Sequence, residues 1–530
     1  MRTSKRLRAR LAAAVVATIV ISLVSAASAP GATGLRSVVV VGNNWEGTSD
    51  IFDPHTFHRI MRINIIPDYN ERVAEIMASP DGFGFFTGIN LLIGEGNNQY
   101  VDDGFTSTDG RFLFVSRPSF KDVVGIDLST QKIVWRVVVS GYRSDHMAIS
   151  HDGRRLLVSA STGNVVHEID TQAGKLLRQF PSGDSPHENN YSADGKLIFH
   201  ASIGRVYTPT DDSAAESTTK GDRRFQIVDN ATFQIIKKID MSQKLAEAGY
   251  PNMSAAVRPM ALSPDERRLY FQVSFFHGFV EYDLVNDKVL RVANLPVSEK
   301  AQHLRRDEYV LDSAHHGIAM NPEGTKLCVA GTMSDYAAIV SQATFAAKIA
   351  VTGLKPYWST NSADGRYCYI SFSGDDRVSV VSYATEQEVA SVPVGNHPQR
   401  VRTGVIRTEF LPPDRDPPRI ADARAVRRNG RYLLRLSLFE PVSLRIELAK
   451  ATSGRRFAGR CVAPRRRLAA APRCTRWPTV KTLNKRAGAG TSDFPLGALR
   501  SASIYRLLVS ASDDAGNRSP RTIVQFRTRR

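Results

Sequence analysis

The chain has 530 residues, 42% of them hydrophobic, which allows more than one packed domain and excludes a disordered chain. Its net charge of +18 is local: residues 415–530 hold 27 Lys and Arg against 7 Asp and Glu, while residues 11–414 net −7. Apart from the N-terminus, no apolar run is long enough to span a membrane.

Met1 to Arg10 carries five basic residues and no acid, an apolar run follows from Leu11 to Val24, and small residues surround Ala27-Ser28-Ala29. This is the pattern of a secretory signal over residues 1–29, and it predicts a secreted or cell-envelope protein with no transmembrane segment after cleavage. Residues 37–66 then read as three strands lacking an innermost partner. The clearest unit runs from Asp145 to Gly195: four strand-length runs rich in Leu, Ile and Val, each closed by Gly or Asp. Its inner turn recurs as Asp109-Gly110, Asp152-Gly153, Asp194-Gly195, Asp265-Glu266, Glu323-Gly324 and Asp364-Gly365, at spacings of 43, 42, 71, 58 and 41 residues. Three spacings match the 40-to-45-residue period of WD40-like propeller blades, and the two long ones predict insertions. The missing innermost strand lies at His397 to Ile406, so residues 37–407 predict an all-β, seven-bladed β-propeller closed by its last strand.

Four insertions fall on one face: Pro67–Tyr100, Arg205–Arg223, Met241–Val257 and Pro296–Leu311. The innermost strands open on that same face, which gathers Asp102, Asp103, Asp145, His146, His187, Arg258, His315, His316, Tyr357, Trp358, His397 and Arg400 around the channel mouth. Three readings stay open for this cluster: turn-shaping residues, ligand contacts, or a metal site. Blades on opposite sides of the ring are expected to stand too far apart for all four imidazoles, of His146, His187, His316 and His397, to reach one ion. A metal would then take only neighbours, His146 with His187, or His315 and His316 with His397. No bound metal or cofactor is expected, and as rim side chains these residues should bury little. His167, His200 and His277 lie within strands and are expected to pack between blades. No G-x-S-x-G elbow, H-E-x-x-H, paired C-x-x-C, P-loop or EF-hand pattern occurs.

Residues 408–418, with Pro412-Pro413 and Pro417-Pro418, form a stiff linker. Beyond it, Tyr432 to Leu438 and Val442 to Leu448 alternate as an expected hairpin. Tyr505 to Asn517 followed by Thr522 to Phe526 resembles the last two strands of bacterial immunoglobulin- or fibronectin-type modules. Residues 419–530 therefore predict a small β-sandwich. Cys461 and Cys474 are expected to pair there, given an exported domain with a modest core. Cys328 and Cys368 sit in second strands of neighbouring blades and are expected as buried free thiols, a bond between them being the alternative. The basic tail, with Arg465-Arg466-Arg467, suits an anionic cell-wall polymer, and nucleic acid is not expected as a partner.

Ser192-Ala-Asp-Gly-Lys-Leu-Ile-Phe199 and Val166-His-Glu-Ile-Asp-Thr-Gln-Ala-Gly-Lys175 carry a family pattern: Asp-Gly-Lys, a strand, then Asp-Thr-x-x-Gly-Lys. On these residues the chain resembles the YVTN family of β-propeller repeat proteins and, more distantly, the heavy-chain propellers of quinoprotein amine dehydrogenases. The resemblance spans residues 37–407 and implies an exported propeller rather than an oxidoreductase, because propellers host unrelated functions. The expectation is a non-catalytic binding protein with an unidentified ligand at the insert-bearing rim. The alternative is a metal-dependent oxidoreductase or a lactonase-like hydrolase using the rim histidines.

Overall fold

The structure is a computed structural model that describes residues 34–206, 219–411, 417–488, 490–513 and 516–529. The expected signal at 1–29 and the centre of the linker lie outside the described residues. Between Leu35 and Arg407, among the described residues, seven four-stranded antiparallel sheets follow one another. Their innermost strands are Gly104–Thr106, Ser144–Ile149, Pro186–Tyr191, Val257–Leu262, Ile318–Met320, Pro356–Asn361 and Pro398–Arg407. Neighbouring sheets touch along these strands, and the strand Pro398–Arg407 also meets Gly104–Thr106, which gives a β-propeller-like fold around a central channel.

The repeat arises from one small set of hydrogen bonds. In the second sheet Ser107 Oγ donates to Asp109 Oδ1 at 2.6 Å while the backbone N–H of Phe112 donates to Ser107 Oγ at 2.9 Å. Gly110 completes the turn at φ +67°, where a β-carbon would be strained. The same pair recurs at Ser150–Asp152, Ser192–Asp194, Ser263–Asp265 and Ser362–Asp364. Asn321 and Glu323 substitute for it in a sixth sheet, and the first sheet, whose innermost strand is Pro398–Arg407, has no such turn.

Second strands such as Arg155–Ala160 and Lys326–Gly331 are buried on both faces between neighbouring sheets. This explains why they read as continuous apolar runs, whereas outermost strands such as Lys175–Pro181 are mostly exposed. His200, in a second strand, is buried with Ser182 Oγ and Asn189 Oδ1 at 2.7 and 2.9 Å from its ring, and His167 and His277 also lie against neighbouring segments. Cys328 and Cys368 form a disulfide with Cα atoms 6.5 Å apart, which corrects the expectation of free thiols. Their side chains leave neighbouring sheets on opposite strand faces and so meet in the one interface between those sheets.

The first sheet joins the two ends of this region. Leu35–Asn43 pairs antiparallel with Pro398–Arg407, from Leu35 opposite Arg407 to Asn43 opposite Pro398. The insertion at 67–100 folds as helices Tyr69–Met77 and Pro80–Gly88. Asp68 at its start pairs with the fully buried Arg117, which also holds Asp122 at 2.7 Å.

Residues 420–527 form further sheets. Arg431–Leu438 pairs with Ile420–Arg428 and Gly490–Gly497, and Val442–Lys450 pairs with Thr479–Ala487 and Ile504–Ser512. The expected hairpin is therefore absent: its two strands lie in different sheets. Their alternating apolar residues, Leu434 and Leu436 from one and Ile446 and Leu448 from the other, share one buried cluster with Leu507 and Val509. Alternation specified the buried face but not the partner. The last two strands do pair, and Asn517 closes their turn by donating its backbone N–H to Asp513 Oδ1 at 2.8 Å. Cys461 and Cys474 are bonded, as expected, within a small three-stranded sheet. Among the described residues, no helix is long and apolar enough to cross a membrane.

Candidate functional site

The channel mouth is built by irregularities in the innermost strands. Register shifts fall between Ser144 and Met147, Pro186 and Asn189, Val257 and Met260, and Pro356 and Trp358. Such bulges break the strict alternation of a strand and let consecutive residues share a side. Thus both Asp145 and His146, and both His187 and Glu188, border the channel. They do so as buried residues, not as the exposed rim side chains expected: His146 is 1%, His187 4% and His316 1% accessible.

Three imidazoles from three different sheets meet there. One ring nitrogen from each of His146, His187 and His316 lies within 4.8 Å of the others. His187 Nε2 and His316 Nε2 are 3.3 Å apart, and the rings of His146 and His187 have centroids 3.7 Å apart. This overturns the expectation that a metal would take only neighbouring histidines, because side chains from non-neighbouring sheets converge here, although His397 does not join them. His146 Nδ1 bonds Glu188 Oε2 at 2.7 Å, while His146 Nε2 and His187 Nδ1 are buried without a hydrogen-bond partner. Tyr357 stacks on His316 with centroids 4.2 Å apart, and Trp358 lies 5.5 Å from His146.

Charged groups surround the triad. Arg400 pairs with Asp102 at 3.2 Å and lies 4.7 Å over the Trp358 ring, and Arg402 pairs with Asp103 at 2.7 Å. Arg143 lies 3.6 Å from Asp145, and the fully buried Arg258 bonds Ser313 Oγ at 2.7 Å and the Leu311 carbonyl. Burial drives each ionisable group toward its neutral form. It pushes Asp102 up to about 8 and Glu188 up to about 7, and holds His146, His187 and His316 well below the usual histidine range. A cluster of neutral imidazoles beside carboxyls that exchange protons near neutrality can ligate a cation or hold a polar ligand.

Above the cluster the inserted segments enclose a cavity of about 600 Å³, lined by Glu95, Lys300, Arg306, Tyr309, Lys355 and their neighbours. Leu311 and Val206 line both this cavity and a second one, of about 20 Å³, that touches His187, Asp102 and Asp145. Leu311 and Asp312 both hold positive φ, at 47° and 64°. That backbone costs about 1–2 kcal/mol per residue, and buried bonds hold it: Leu311 O to Arg258, and Asp312 to Lys220 at 3.0 Å.

Of the residues singled out from sequence, Asp102, Asp103, Asp145, His146, His187, Arg258, His316, Tyr357, Trp358 and Arg400 come together here. His315 and His397 do not join them. His315 turns the other way along extended backbone and packs against His277 and Tyr336, with centroids 5.5 and 5.9 Å away. His397 stacks on Trp45 at 3.7 Å on the wall of a small separate cavity. Glu188, Arg143 and Arg402 were not anticipated. A register count reveals the first of them: the residues seven before the six acidic turn positions are Asp102, Asp145, His187, Arg258, His316 and Tyr357. Those six before are Asp103, His146, Glu188, Pro259, Gly317 and Trp358. Two adjacent layers of polar and aromatic residues are thus written into the repeat.

Neither a family model nor a curated protein sequence matches the chain. Among solved structures, the chain is similar to Kuenenia stuttgartiensis hydrazine synthase, at 18% identity over 59% of this chain and 96% of that one, with a TM-score of 0.44. That similarity bears neither on activity nor on ligand, and the propeller-like fold stands on the sheets themselves.

Proposed function

We propose that this chain is an exported binding protein of the cell envelope: a seven-bladed, YVTN-type β-propeller followed by an immunoglobulin- or fibronectin-like β-sandwich. The propeller holds a small polar ligand at its insert-built channel mouth. The observation that carries this reading is the cavity of about 600 Å³ between the inserted segments, seated over a buried polar centre. Such a concave site with a few convergent polar groups is where small molecules bind. Two disulfides favour an oxidising compartment. The exposed Arg465-Arg466-Arg467 suits docking to an anionic wall polymer, an attraction that salt would screen.

The test is thermal stabilisation by a panel of polar small molecules: sugars, carboxylates, phosphates and amines. At least one class should raise the melting temperature, and Arg306→Ala with Tyr309→Ala should abolish the rise. Stabilisation that survives both substitutions would place the ligand elsewhere. A second reading, a metal-dependent oxidoreductase or lactonase-like hydrolase, is favoured by the three converging imidazoles. Lactone turnover that requires added metal and disappears with His187→Gln would replace the first reading with the second.

A further inference from the structure

We propose that His146, His187 and His316 form a binding site for a first-row divalent cation that favours imidazole, zinc being the simplest occupant. Each ring comes from a different sheet, and one nitrogen of each lies within 4.8 Å of the others. His187 Nε2 and His316 Nε2 are 3.3 Å apart. Two nitrogens bound tetrahedrally to one zinc at about 2.0–2.1 Å stand about 3.3–3.4 Å apart, so this pair already has the spacing of ligands. The third nitrogen needs to close by about 1.5 Å or less, which side-chain rotation supplies.

A core of packed histidines is the competing account, and it leaves a defect. A hydrogen bond between His187 and His316 satisfies those two nitrogens but leaves His146 Nε2 buried with no partner. A cation takes all three lone pairs. Glu188 supplies the support that metal-binding histidines require, because its bond to His146 Nδ1 at 2.7 Å fixes the proton there and frees Nε2. Asp145 Oδ1 lies 3.7 Å from His146 Nε2 but groups with Asp102 rather than with His187 and His316, so water is left to fill the fourth position. The cavity of about 20 Å³ beside His187 leaves room for one water-sized group.

This inference goes beyond the ligand reading and needs no organic ligand. Full-length protein stripped with a chelator is titrated with zinc chloride alone, followed by calorimetry and thermal melting, and separately with cobalt chloride, followed by visible absorption. One equivalent should bind and raise the melting temperature. His187→Gln and His316→Gln should each weaken binding at least 100-fold, Glu188→Gln by about 10–100-fold, and His397→Asn not at all. Folded protein that takes up neither zinc nor cobalt, or binding unchanged in His187→Gln, overturns the proposal. Where a glutamine variant does not fold, the unsubstituted protein loaded with cobalt decides. Intense visible bands of a four- or five-coordinate ion support the site, and the pale spectrum of octahedral cobalt overturns it.

Discussion

His397 holds its ring face to face with Trp45, with centroids 3.7 Å and planes 8° apart, on a backbone at φ 56°. Burial, with Lys355 nearby, lowers its pKa to about 3. Between pH 3 and 6.5 the unfolded chain therefore binds a proton at this position that the folded chain refuses. Stability present at neutral pH is lost as the pH falls below about 6.5, by about 1.4 kcal/mol per pH unit. Asn accepts positive φ and does not titrate. His397→Asn should cost about 1 kcal/mol at pH 7 through the lost stack, and the variant should become the more stable protein by pH 5. Parallel denaturant titrations at the two pH values check this, and an unchanged difference between the proteins refutes it. The same residue shows how far side-chain roles could be read from sequence. His187 and His316 were legible as partners because each stands seven residues before its turn. His146 stands six before, and only a bulge in its strand, invisible to a count of residues, turns it toward the same point. His315 and His397 were grouped with them as residues at strand entries, a position that does not fix the direction of a side chain.

Among the elements, Pro398–Arg407 has the largest consequence for its length. It supplies the innermost strand to a sheet whose other strands begin at Leu35. A chain ending at Asn396 leaves the edge of Leu35–Asn43 unpaired and takes Val401 away from Val39 and Val41, with which it packs. It should aggregate or melt well below the parent protein, whereas a chain ending at Pro412 should keep the melting temperature of the propeller-like region. Equal stability of the two truncations would falsify this role. This element was legible because residues 37–66 carry three strands and no fourth, a deficit that the repeat exposes. The strands beyond residue 419 were less so. Arg431–Leu438 and Val442–Lys450 alternate cleanly, but alternation is the same whether a strand faces its sequence neighbour in one sheet or across a core.

Across the whole molecule, cross-links act at two different ranges. Cys328–Cys368 spans 40 residues and staples neighbouring sheets, whereas Cys461–Cys474 spans 13 within one small sheet. Loop entropy makes the first worth about 4 kcal/mol and the second about 3 kcal/mol. Replacing Cys328 and Cys368 together by Ala should lower the midpoint of the propeller-like region in chemical denaturation, and replacing Cys461 and Cys474 should leave that midpoint in place. The reverse pattern would contradict this division. The longest connection, however, is not covalent. Leu35 meets Arg407 across 372 intervening peptide steps, so the strand Leu35–Asn43 leaves the ribosome long before the partner that completes its sheet. At 5–20 residues per second that wait is roughly 20–75 s. Throughout it Val38-Val39-Val40-Val41 presents an open, apolar edge, so the nascent protein spends its synthesis as a sticky, unlocked intermediate. A chain held in that state is one a chaperone can hold, and closure by a single late strand sets the moment at which that opportunity ends.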